Sequence, residues 1–424
     1  MTLDSSVPAV PDSALDLASR SRPWRERLVA TLVAQGSLHT PALREAFLRV
    51  PRETWISAYY EPMASSDHAG RWQRREADPQ AQEHWAAWLE ALYRDVPLVI
   101  RLQGDLPVSS SSAPTAMARM LEALEVQPGQ HVLEIGTGTG YTAAVLAELV
   151  GPTGQVWTVE LEEELAHQAR VRLQAAGFGE RVQVIAADGW QGYAPAAPYE
   201  RLIATASVPG IPRRWVEQLT PAGRLVVEVR GELAGGLLVL ERARRGPGAR
   251  GRFLPPPLHF MPLQPTPQAS PLTRRYLLLR QQAVRETAVV QDDPFPQVLQ
   301  EPAFRFWLQW WLPTAFVRVH RLPGSGQPGV CLVERASATL ALFEQQAEGH
   351  WRLQVHGPRP LWRELQEAYG AWERAGRPDQ EAYEVELNEQ EGQGWLAVPQ
   401  AGASRCLVCP VLDGPLLGSE SRSG

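Results

Sequence analysis

Apolar positions recur at helical spacing near the N-terminus, at Trp24, Leu28, Leu32 and Val33, which predicts an amphipathic helix starting near Trp24. A second helix is expected from Thr40 through Val50. The stretch 60–92 is polar, with Trp85, Trp88, Leu89 and Leu92 on one helical face, and reads as a helical insertion. From residue 112 the pattern changes to short apolar runs alternating with helical segments, the signature of parallel strands buried on both faces. The spacing predicts helix 114–125, strand 131–135, helix 141–150, strand 155–160, helix 162–176, strands 182–188 and 201–206, a short helix near 212–219 and strand 223–229. That alternation specifies an α/β, doubly wound sheet.

The pattern changes again further on. The basic run RARRGPGARGR (242–252) reads as a hairpin loop, and the Pro-rich 254–271 as a boundary. Beyond it, runs at 316–322, 329–334, 339–344 and 350–356 suit antiparallel strands. Residues 361–376 suit a helix with Leu361, Leu365, Tyr369 and Trp372 on one face, closed by Gly376 and Pro378. Seven of the fifteen tryptophans fall here, and a core role is expected for them. The chain therefore divides into a disordered 1–22, an N-terminal helical region 23–111, a cofactor domain 112–265 and a C-terminal α+β extension 266–424.

Composition narrows the function classes. A length of 424 residues calls for more than one structural unit, and 44% hydrophobic with 21% charged residues is ordinary for a globular chain. With 41 basic and 47 acidic residues the net charge is −6, so nucleic acid is not expected as a partner. The absence of a leader pattern or a long apolar run predicts a cytoplasmic protein with no membrane partner. The three cysteines are too few for a disulfide framework. Cys406 and Cys409 form a C-x-x-C with no second ligand pair, so no metal is expected.

Chemistry concentrates in VLEIGTGTGY, residues 132–141. A buried strand ends in a turn with Gly136, Gly138 and Gly140, which lets backbone approach a cofactor at a helix N-terminus, with Thr137 inside the turn. Tyr141 stands where a dinucleotide fingerprint needs a small residue, which disfavours NAD and leaves S-adenosylmethionine as the expected cofactor. Glu160 ends the next strand and is placed to accept hydrogen bonds from ribose hydroxyls, with Leu161 beside it. Asp188, followed by Gly189, is placed either for an adenine amino group or simply as a strand-ending turn. Glu134 either orients the turn through backbone N–H groups or contacts the cofactor's amino-acid moiety.

These segments resemble one family. VLEIGTGTGY, the Val-Glu at 159–160, ADGWQG (187–192), LIATASVPGIP (202–212), PAGRLVVEV (221–229), VPRE (50–53), SAP (112–114) and FMPL (260–263) are similar to the protein-L-isoaspartate O-methyltransferases over about residues 24–265. The resemblance implies a Rossmann-like S-adenosylmethionine-dependent sheet and methyl transfer to an isoaspartyl or aspartyl carboxylate, after which a succinimide can close. It places Ser112 against the acceptor carboxylate and Thr205 and Ala206 on the floor between cofactor and substrate. On the residues alone, a helix N-cap is the favoured reading of Ser112. Repair enzymes of the family usually carry Thr-Ile-Ser before the x-Pro, whereas this chain has Ser109, Ser110, Ser111 and Ser112 in a row and an enlarged segment around 60–105. Those departures and the extension leave open a dedicated aspartyl methyltransferase tailoring a ribosomally made peptide. A non-catalytic cofactor-binding protein is the alternative of a different class.

Overall fold

A computed structural model describes residues 13–63, 71–77, 85–264, 284–291, 294–321, 328–347, 350–388, 393–398, 403–409 and 411–412. The chain forms two compact units: residues 1–206, 217–227 and 260–264 make the first, and residues 207–216, 228–259 and 265–424 the second.

The first unit opens with α1 (Ser13–Ala34) and α2 (Pro41–Arg49). Helix α1 starts at Ser13 rather than near Trp24, so the expected disorder over 1–22 is corrected from residue 13 onward. Residues 1–12 lie outside the described residues. The segment 60–92, read as a helical insertion, holds strand as well as helix among its described residues, and it contributes to a four-stranded sheet that continues to residue 111. That sheet consists of β1 (Ala58–Pro62), β2 (Trp72–Glu76), β3 (Leu98–Gln103) and β4 (Leu106–Ser111), in the order β2-β1-β3-β4 and all antiparallel. Strand β2 is exposed at every position from Gln73 to Glu76, so it carries no alternation to read. Only α3 (Trp85–Leu92) is helical, and it buries Trp88, Leu89 and Leu92 as the periodicity predicts.

From α4 (Pro114–Leu124) the expected alternation appears: β5 (His131–Ile135), α5 (Tyr141–Val150), β6 (Gln155–Glu160), α6 (Glu163–Ala175), β7 (Val182–Ala186) and β8 (Tyr199–Val208). Strand β5 pairs in parallel with β6 and β8, and β6 with β7. Val132, Leu133 and Ile135 are fully buried, as are Val156, Leu202 and Ile203, which accounts for the uninterrupted apolar runs. Chain order runs outward from β5 to β7 on one side and continues with β8 on the other. In open α/β sheets this reversal point is where ligands bind, beyond the carboxyl ends of the strands.

The second unit begins with β9 (Ile211–Pro212) and α7 (Arg213–Glu217), of which Glu217 belongs to the first unit; β10 (Leu219–Arg230) likewise divides between the units. A hairpin follows, β11 (Gly235–Arg242) with β12 (Ala249–Leu254); residues 243–248 of the basic run make its turn, while 249–252, expected in the loop, are strand. Then come β13 (Val284–Gln291), α8 (Phe295–Val298), α9 (Pro302–Trp311), β14 (Ala315–Arg321), β15 (Pro328–Glu334), β16 (Thr339–Ala347), β17 (His350–His356) and α10 (Leu361–Arg374). The chain ends in β18 (Glu384–Asn388), β19 (Gln393–Val398), β20 (Ala403–Cys409) and β21 (Val411–Leu412), which pairs with β9. An antiparallel sheet of order β13-β17-β16-β15-β14 holds the four strands predicted at 316–356. Strand β12 pairs with β18 and β18 with β19. Residues 266–424 are therefore not a free-standing extension, because the hairpin before them belongs to the same unit. The Pro-rich boundary is described only up to Gln264.

Of the seven C-terminal tryptophans, Trp307, Trp310, Trp351, Trp362 and Trp372 are buried, which bears out the core reading for those five; Trp311 and Trp395 are half-buried. Phe295 meets Trp362 edge-on at 4.8 Å between ring centroids. Gly376, at φ 82, ends α10 with the N–H of Arg377 bonded to the Trp372 carbonyl and that of Gly376 to the Glu373 carbonyl. Cys406 and Cys409 fall in β20, with side chains outside the described residues.

Candidate active site at the carboxyl edge of the first unit

Strand β5 stops at Ile135 and the chain turns into α5 through three left-handed glycines, Gly136 (φ 97), Gly138 (φ 52) and Gly140 (φ 88). At Gly136 the requirement for glycine is twofold. A Cβ there would stand 2.7 Å from Thr205 Oγ1, and the same hydroxyl donates to the Gly136 carbonyl at 2.8 Å. Thr205 thus clasps the turn from β8, a positioning role that the sequence did not indicate, with Ala206 half-buried beside it. At Gly138 a Cβ would make ordinary van der Waals contact with Ile100 at 3.8 Å and with Ser109 Oγ and the Ser110 carbonyl at 3.9 Å. The serine run of β4 therefore stands over this corner of the turn.

Glu160, at the end of β6, accepts the Gly138 N–H at 2.9 Å and the Glu162 N–H at 3.2 Å. Burial raises the pKa of its carboxyl, against the lowering effect of those backbone donors. Leu161 next to it is 42% exposed, an apolar surface at the mouth of the site. Asp188 accepts the Trp190 N–H at 3.0 Å, so its turn-forming role is realised through one oxygen. Gly189 is buried against β5, since a Cβ there would lie 2.7 Å from Ile135 Cγ2.

Glu134 is fully buried, and its one hydrogen bond comes from Thr158 Oγ1 at 2.7 Å. The Thr158 hydroxyl in turn lies 2.7 Å from that of Thr137 in the turn. The backbone N–H contacts foreseen for Glu134 are thus replaced by a hydroxyl relay. Thr158, absent from the sequence-based set, had a legible signal as the polar residue paired with Glu134 inside an apolar strand. Among the described residues Glu134 Oε1 has no partner, and burial pushes the carboxyl up to about 8.

Tyr141 departs from expectation. Its ring is buried at the start of α5, under the guanidinium of Arg52 at 5.2 Å and edge-on to Phe47 at 6.3 Å. Burial pushes its hydroxyl up to about 12. The ring is committed to packing and supports the turn. Ser112 is not a helix cap either. The N-cap of α4 is Ala113, with no side-chain cap bond and Pro114 following. Half-buried Ser112 thus keeps its hydroxyl at the junction of β4 and α4.

A family model, protein-L-isoaspartate(D-aspartate) O-methyltransferase, matches residues 81–246. A protein-L-isoaspartate O-methyltransferase of Hyperthermus butylicus is 36% identical over 239 residues, covering 54% of this chain and 86% of its own length. That of Ignicoccus hospitalis is 38% identical over 208 residues, covering 49% of this chain and 82% of its own. The chain belongs to the protein-L-isoaspartate O-methyltransferase family. A solved protein-L-isoaspartate O-methyltransferase structure aligns with 86% of this chain and 96% of its own, at 23% identity and a TM-score of 0.48. As a member of the family the chain is a methyltransferase, with S-adenosylmethionine as methyl donor.

The residues present fit that donor. The unpartnered Glu134 Oε1 suits an ammonium, the Glu160 carboxylate suits vicinal hydroxyls, and exposed Leu161 suits an adenine face. Among the described residues no cluster of His, Cys, Asp or Glu could hold a metal ion, and no helix is long and apolar enough to cross a membrane.

Proposed function

We propose that the first unit methylates the side-chain carboxylate of an isoaspartyl residue in a peptide or protein. The observation that carries this reading is the approach of the serine strand β4 to Gly138, whose N–H is held by Glu160. On this reading the acceptor segment and a nucleoside-binding carboxylate meet at one corner. Bound S-adenosylmethionine supplies a methyl group on a sulfonium, leaving as a neutral thioether.

The chain's own residues have a correspondingly modest task. An acceptor carboxylate is already ionised at pH 7, so no general base is needed. Ser112 donates to one acceptor oxygen and leaves the other aimed at the methyl carbon. The carboxylate oxygen forms the new bond as the carbon–sulfur bond breaks, and opposite charges are cancelled in the process. Such charge cancellation is favoured in a dry site, and the Thr205 clasp, buried Glu134 and buried Gly189 keep water from its floor. Glu160 and Leu161 hold the nucleoside, Asp188 offers its second oxygen to the adenine amino group, and positioning supplies the remaining rate.

The ester so formed is an activated acyl group. The next backbone nitrogen attacks it, methanol leaves and a succinimide closes. Mass spectrometry of an isoaspartyl peptide incubated with the protein and donor tests the reading. It should show gain of one methylene followed by net loss of water relative to the starting peptide. An unchanged isoaspartyl peptide, alongside a methylated Asp peptide, would instead support the tailoring activity.

A further inference from the structure

The inserted sheet carries a second concavity, separate from the cofactor turn. It is a cleft of about 480 Å³ walled by Tyr59, Trp85 and Trp88, with charged groups at its rim. Trp88 and Tyr59 are buried with ring centroids 5.4 Å apart, and Trp85, one helical turn earlier on α3, is half-buried. The charges around it are mostly neutralised by one another. Glu61 accepts from the Tyr59 hydroxyl at 2.9 Å and pairs with Arg75 at 3.0 Å and Arg94 at 3.5 Å. Glu76 pairs with Arg74. Glu90, also lining the cleft, is exposed and pairs with none of the described residues. Glu61 faces two guanidiniums, so Glu90 balances the rim as a whole, and its carboxylate, beside the half-buried Trp85 indole on α3, is locally complementary to a cation on an aliphatic stem, held by cation–π attraction and an ion pair.

We infer that this cleft is a subsite for a lysine or arginine side chain of the substrate peptide, lying away from the methylated residue. The inference rests on the methyltransferase reading above. The register of the sheet sets the distance. Tyr60 of β1 is opposite Val99 of β3, and Val99 is opposite Ser110 of β4, so two strand spacings, roughly 10 Å, separate the cleft strand from the serine run. An extended chain covers that gap, together with the side-chain depth, in about three to five residues. The cleft therefore selects a basic residue at that separation from the isoaspartyl position.

The test uses the full chain and paired isoaspartyl peptides carrying Lys or Gln four residues before or after the isoaspartyl site. One Lys peptide should have kcat/KM about 5–10-fold above its Gln twin, through KM and weakening with salt. Trp85→Ala and Glu90→Gln should each erase that preference while leaving turnover of the Gln peptide at the wild-type rate. Equal kcat/KM for both twins with the wild-type chain, or a preference that survives both substitutions, overturns the subsite. If no isoaspartyl peptide is methylated, the methyltransferase reading fails on its own. Fluorescence anisotropy of the same labelled peptides then decides the cleft: tighter binding of the Lys peptide, lost in both variants, supports it, and equal binding of the twins overturns it.

Discussion

Glu134 in the first unit and Glu334 in the second are both buried and are handled in opposite ways. Glu334, at the end of β15, accepts from the Ala336 N–H at 3.1 Å and the Ser337 N–H at 2.8 Å, from the hydroxyls of Thr314 and Ser337, and from Arg359 at 3.3 Å. Burial opposes its charge, but these donors prevail and hold it at about 2. Glu134 has one donor and an orphan oxygen, and burial holds it at about 8. A carboxylate saturated with donors fixes a turn. One left short of partners, beside a glycine turn at a sheet's switch point, is the kind of group the proposed function assigns to a ligand.

The largest expected effect comes from breaking the saturated member. Glu334→Ala leaves several donors unpaired and should lower stability by about 2–4 kcal/mol in denaturant melts of the second unit, while cofactor affinity per folded molecule stays unchanged. Gly136→Ala attacks the other side. The left-handed backbone and the collision with Thr205 should displace the turn at a cost of about 1–3 kcal/mol and weaken S-adenosylhomocysteine binding at least tenfold, read by calorimetry. Glu160→Ala should leave the melt almost unmoved but weaken cofactor binding by about 1–3 kcal/mol. An unaltered dissociation constant would remove Glu160 from the site. Ser112→Ala should lower kcat/KM for the peptide by about tenfold, the worth of one hydrogen bond to a charged group, with cofactor affinity intact.

The pH dependence of stability separates the two glutamates by sign. Glu134 binds its proton more tightly folded than unfolded, so its stability contribution is full below the ordinary carboxylate range and is lost as pH rises from about 4.5 towards 8. Glu334 behaves in the opposite way, its contribution being lost as pH falls from about 4.5 towards 2. Glu134→Gln should therefore flatten the pH dependence of the melting midpoint between about 4.5 and 8. An undiminished slope would show that Glu134 is ionised in the folded chain.

Legibility in the sequence followed burial. The strands β5, β6 and β8 are enclosed on both faces, and their apolar runs, the glycine turn and Glu160 could all be placed before any coordinates. The inserted sheet was misread because β2 is exposed along most of its length and so has no period. Tyr141 and Ser112 show a different limit. Motif position located both residues, but whether a ring packs inward or a hydroxyl caps a helix depends on neighbours distant in sequence, Arg52 and Phe47 in the first case and Ala113 displacing Ser112 in the second. The partition of Glu134 into a relay through Thr158 likewise required the parallel register of β5 and β6.

The central claim is that the corner formed by Gly138, Glu160 and the serine strand delivers a methyl group to an isoaspartyl carboxylate. Its most direct test is transfer of labelled methyl from S-adenosylmethionine to an isoaspartyl peptide and to the same peptide with ordinary aspartate, assayed side by side with the full-length wild-type chain. Base-labile methyl ester on the isoaspartyl peptide, with little on its aspartyl twin, is the predicted result. Label on neither peptide, from protein that binds the donor stoichiometrically, would contradict it.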